Sequence, residues 1–75
     1  MIIKYSTKTQ DIRNPERVIY WFEIKLPTQA WTSICIGFDS NKQFTCGSKT
    51  FFELDSQTRD EIVANTQPMV DKVVE

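Results

Sequence analysis

No histidine occurs in this 75-residue chain, and glycine, cysteine and proline are scarce, at two, two and three residues. Without histidine the commonest general base is missing, and with it the Ser-His and Cys-His couples and most zinc sites. Two isolated glycines, Gly37 and Gly47, cannot build a glycine-rich phosphate loop. Few Gly and Pro argue against a long flexible linker. The longest apolar run is "VIYWF", Val18 to Phe22, whereas a membrane-spanning helix needs about 20 such residues. The start, "MIIKYSTK", lacks the long apolar region and small-residue cleavage pattern of a signal peptide. The carboxylates are scattered and form no calcium loop. "FDSNKQ" comes nearest, without the glycine or the terminal Glu. These absences lead us to expect no enzyme, no metal, no cofactor and no membrane partner. They place the chain in the cytoplasm, or the host cytoplasm if it is viral, with both thiols reduced.

Charge of one sign is also lacking. The net charge is −1, which gives no general attraction to nucleic acid or to an anionic membrane. It is unevenly spread: residues 1–54 sum to +2 and residues 55–75 to −3. The ordinary reading of the acidic third is a solvated helix face.

What is present is a globular composition, 40% hydrophobic and 12% aromatic, in one short domain over residues 1–75. Residues 2–8, "IIKYSTK", alternate as a strand, and 9–16 form a loop around Asn14-Pro15. The clearest strand is 17–26, with Val18, Tyr20, Phe22, Ile24 and Leu26 on one face and Ile19, Trp21, Glu23 and Lys25 on the other. A third strand covers 31–38. A fourth covers 42–54, with a bulge near Gly47 and with Phe51 breaking its alternation.

From Asp55 the period changes to helical. Thr58 and Glu61 have capping-box spacing, with Asp55 and Ser56 as earlier starts. Pro68 kinks the helix or splits it in two. Neither element buries its apolar side alone, so the expected fold is α+β. It is a four-stranded antiparallel sheet, β-β-β-β-α, with the C-terminal helical segment packed on one face.

The cysteines lie either side of a turn. A register that keeps Ile34, Ile36, Phe38, Phe44 and Cys46 on one face saves a few kcal/mol per large side chain over the alternative. A three-residue loop, Asp39-Ser40-Asn41, suits this register, with Asn41 left-handed. A five-residue loop serves equally. Cys46 is then expected inside and Cys35 outside, unable to form a bridge.

The odd-numbered face carries the functional expectation. Ile19, Trp21, Trp31, Cys35 and, by the strand assignment, Phe51 project there, and one helical segment covers only one face of a sheet. An exposed apolar patch with Trp marks an interaction site. Against this, Trp21 also serves as a cover for Gly37, and Trp31 as a partner for Ile12 in the 9–16 loop.

The favoured function is a non-enzymatic protein-binding module. It would be a small regulator or inhibitor of phage or mobile-element type, docking on a larger protein or nucleoprotein complex. The docking residues are Ile19, Trp21 and Trp31 on the sheet, or Asp60, Glu61 and Asp71 on the acidic helix, the latter set aimed at a basic groove. The runner-up is a single-stranded nucleic-acid binder stacking bases on Trp21 and Trp31. It ranks lower because +2 over the sheet region is thin and no RNP1 pattern is present. The third reading is a structural subunit of a homo-oligomer, such as a homodimer through the same face.

Overall fold

The computed structural model describes residues 1–10 and 12–74, and the side chains of all of these except Gln29, Ala30 and Trp31. Four strands come first: β1 (Ile2–Gln10), β2 (Val18–Leu26), β3 (Gln29–Phe38) and β4 (Phe44–Gly47). They form one antiparallel sheet in the order β1-β2-β3-β4. Helices α1 (Lys49–Phe52) and α2 (Ser56–Thr66) follow, then a 3₁₀ turn over Gln67–Met69 and a last helical turn, α3 (Val70–Val73). The expected α+β order is the observed one.

The core is the even face of β2 and β3 closed by the helices. Tyr20, Phe22, Ile24, Leu26, Ile34, Ile36 and Phe38 are buried together with Phe51, Ile62 and Val70. Leu54, Val63, Met69 and Val73 pack at its margin. At about 1.5–3 kcal/mol for each large apolar side chain removed from water, this face dominates the stability. Edge-to-face rings run through it, with Tyr5 on Phe22, Phe22 on Phe38 and Phe38 on Phe44.

Helix α2 begins at Asp55, whose extended backbone and side-chain acceptor satisfy the free N–H of Thr58. The start is therefore the earlier of those expected, and Thr58 caps nothing itself. Its hydroxyl donates to Asp55 at 2.6 Å. Both hydrogen bonds favour the carboxylate form and hold the Asp55 pKa below its ordinary 3.8, the Thr58 side-chain bond contributing most. Pro68 stands in the first turn of the 3₁₀ segment. The helix tightens there and resumes as α3, so of the expected kink or split at Pro68 the chain takes the split.

The fourth strand is much shorter than the expected 42–54. It stops at Gly47, and 49–52 turn helical. Beyond that point one backbone bond and two hydroxyls continue the pairing along β3. The Ser48 N–H donates to the Cys35 carbonyl at 2.8 Å, and the Cys35 N–H donates to Ser48 Oγ at 3.2 Å. Thr50 Oγ1 donates to the Ser33 carbonyl at 2.8 Å. With its proton so committed, Thr50 accepts from Ser48 Oγ, 2.8 Å away.

The turn before β4 has five residues, since Phe38 pairs with Phe44. Asp39 Oδ1 accepts from the N–H groups of Asn41 and Gln43, both at 2.9 Å. The left-handed residue is Lys42 (φ 66°), not Asn41. Lys42 is also tied to the helical layer: its carbonyl accepts from Gln67 at 2.6 Å, and its ammonium meets Asp71 at 3.1 Å.

Candidate interaction surface

The buried helical side chains, Ile62 and Val70, and the partly buried Leu54, Val63, Met69 and Val73 all belong to the cluster on the even face of the sheet. Among the described residues, no helix lies on the opposite face. That outer face is built around Gly37. Trp21 pairs with Gly37 across β2 and β3, and Cys46 pairs with it across β3 and β4. A β-carbon added at Gly37 would come within 2.6 Å of Ile19 Cγ2, 3.2 Å of Cys46 Sγ and 3.5 Å of Trp21 Cδ2. Ile19, Trp21 and Cys46 therefore close over the glycine, and all three are half-buried. The indole N–H of Trp21 donates to Thr9 Oγ1 on β1 at 3.1 Å. Trp21 thus spans three strands, and its role as a cover for Gly37 is real.

Cys46 is the main correction to the sequence reading. It was expected in the core and stands on the outer face, as does Cys35. The register is even at Phe38–Phe44, but a bulge follows, and Gly37–Cys46 and Ile36–Gly47 pair one residue out of step. The cause is Phe51, which is 3% exposed and belongs to the core rather than the outer face. Its ring lies over Gly47, with Cδ2 only 3.0 Å from where a β-carbon would sit. Without the bulge, Cys46 would occupy that space opposite Ile36. A phenyl ring gains more from burial than a thiol, so the bulge moves Cys46 out and leaves the side-chain-free Gly47 beneath the ring.

Both cysteines are free. Partial burial pushes the Cys46 thiol above its ordinary 9.0, and the positive charge of Arg17 pulls it the other way.

Of the other expected site residues, Trp31 has its backbone in β3, but its side chain lies outside the described residues. Ile12 is 96% exposed, and its expected packing on Trp31 falls on a side chain outside the described residues. Asp60 and Glu61 are exposed on α2. Asp71 is exposed on α3 but occupied by Lys42. Since α2 buries Ile62 and Thr66 against the even face, its acidic residues are turned away from Ile19 and Trp21. The two sets of candidate residues form two separate surfaces.

Sequence reading missed one further surface, the edge of β1. The signal available was the alternating "IIKYSTKTQ" with no acidic residue in it. Among the described residues, no three Cys, Asp or Glu side chains converge to hold a metal ion. No helix among the described residues is long and apolar enough to cross a membrane. No protein-family model, curated protein or solved structure matches the chain.

Proposed function

We propose that this protein is a non-enzymatic binding module, a small regulator or inhibitor that docks on a larger protein in the cytoplasm. One observation carries the reading. Among the described residues the sheet has a helical layer on one side only, and Ile19, Trp21, Cys35 and Cys46 stand on the other as a half-buried, mainly apolar group. Contiguous apolar surface with an aromatic anchor suits a protein partner. Charged residues on the same face support this, with Lys4, Glu23 and Lys25 giving mixed charge beside the apolar group, as protein interfaces do. The acidic surface at Asp60 and Glu61 is a second docking candidate on the opposite side.

The test is quantitative co-purification from the source cells with wild type, Trp21→Ala and Asp60→Lys/Glu61→Lys. Loss of one reproducible partner in Trp21→Ala, with retention in the helix variant, supports the sheet face. The reverse pattern transfers the role to the helix. Retention in both, with both variants folded by circular dichroism, overturns the proposal. Two further measurements address the other readings. Quenching of tryptophan fluorescence by oligo-dT at low salt would favour single-stranded nucleic acid. A dimer mass by light scattering, lost in Trp21→Ala, would favour a homo-oligomer.

A further inference from the structure

The two edges of the sheet are unlike. At one edge β4 has only four residues, and the chain beyond it is folded back onto β3 by Ser48 and Thr50. At the other, β1 has nine residues, and every one except Ile3 is exposed. As the terminal strand, β1 pairs only with β2, so its far side presents a row of backbone donors and acceptors to solvent.

The charge on this edge has one sign. Residues 1–10 include Lys4 and Lys8 and no carboxylate. A bulge sets where these lysines point. Tyr5 pairs with Phe22 but Thr7 pairs with Trp21, so the strand changes phase at Ser6. Lys4, opposite Glu23, is on the outer face. Lys8, opposite Tyr20, is on the helix side. Without the bulge, two residues four apart would share a face. With it, the lysines project above and below the sheet, and β2 meets them with positions three residues apart, Glu23 and Tyr20. An added strand that follows the same bulge meets the same offset.

We propose that the β1 edge takes up an extended acidic peptide segment as a fifth, antiparallel strand, with two carboxylates three residues apart opposite Lys4 and Lys8. The backbone ladder supplies the attraction and the two ion pairs set the register, as in other cases of strand addition. A second copy of this chain is the poorer occupant, because it brings the same two lysines and no carboxylate. Edge lysines disfavour self-pairing while leaving the edge open to an acidic strand. This surface is distinct from the one around Trp21, and the proposal does not rest on it.

The test is an amide-resolved NMR titration at low salt with seven-residue Thr/Val peptides. One carries glutamates at its second and fifth positions, one at its second and fourth, and one carries lysines at the second and fifth. We expect the 2/5 glutamate peptide to bind tightest and to shift the amides of β1. Lys4→Glu and Lys8→Glu should each weaken it about three- to fivefold, the scale of one exposed ion pair. The lysine peptide should bind the Lys4→Glu/Lys8→Glu variant better than it binds wild type. No saturable shift of β1 amides with any glutamate peptide overturns the proposal. So does equal binding of the 2/5 and 2/4 peptides, or shifts centred on Ile19, Trp21 and Cys35.

Discussion

Gly37 shows most directly how one residue shapes the outer face. Three side chains from two neighbouring strands converge where its β-carbon would be, and the nearest atom, Ile19 Cγ2, moves only if this β-branched side chain changes its χ1 rotamer. Gly37→Ala should therefore destabilise the fold by about 1–3 kcal/mol, the usual range for overpacking. In an Ile19→Ala background the same substitution should cost much less, giving a coupling of about 1 kcal/mol or more in a urea double-mutant cycle. Equal costs in the two backgrounds would mean that close approach is not the reason for glycine.

Asp55 gives a second test at this scale. Its pKa is lowered by hydrogen bonds to Thr58, so the unfolded chain takes up its proton before the folded one as pH falls. The contribution is present above about pH 4 and is lost as pH drops through the lowered value. Asn caps a helix as well as Asp but does not titrate there. Asp55→Asn should match wild type near pH 7 and lose less stability between pH 4 and 2, as read by urea midpoints at each pH. Parallel acid limbs would rule the cap out as a source of acid sensitivity.

Among the elements, β4 and α1 depart furthest from a strand pattern. Residues 42–54 alternate well enough to suggest one long strand, and Phe51 is the residue that breaks the alternation. The break is the signal of the helical turn α1, but it is unreadable without knowing that a space above Gly47 awaits a ring. Phe51 takes that space, stacking on Phe44 at 5.4 Å. The register of β4 follows from it, and with it the face of Cys46. Phe51→Ala should cost about 3–5 kcal/mol by thermal or urea unfolding. A cost below about 1 kcal/mol would show that the ring does not hold β4 in its bulged register. The cap at Asp55 and the break at Pro68 were legible because both are local. One depends on a side chain reaching three residues along, the other on a missing N–H.

For the molecule as a whole, the limiting fact is the size of the core. A 75-residue chain buries a modest share of its surface, and a single small core supplies only about 3–5 kcal/mol of net stability. Here that core is one sheet face under a thin helical layer. Phe22 lies near its centre and touches rings on both sides. Phe22→Ala, at a cost of about 3–5 kcal/mol, should leave much of the chain unfolded at 37 °C in a circular dichroism melt. A variant that still melts as cooperatively as wild type, within a few degrees, would mean that stability is held elsewhere. The surface ion pair between Lys42 and Asp71 is not a candidate for that, since exposed pairs contribute about 0–1 kcal/mol.

The sequence by itself determined the two layers. Period-two alternation, turn residues and a switch to helical spacing at Asp55 are local properties, and together they specify β-β-β-β-α with the even face of β2 and β3 inside. It also singled out Ile19, Trp21 and Gly37 as neighbours on the uncovered face. Only the tertiary structure decided which of Phe51 and Cys46 entered the core, where β4 stopped, and on which face Lys8 emerged. Those outcomes depend on competition for a shared space and on bulges that shift phase by one residue. Neither is encoded in the spacing of residues along a single strand.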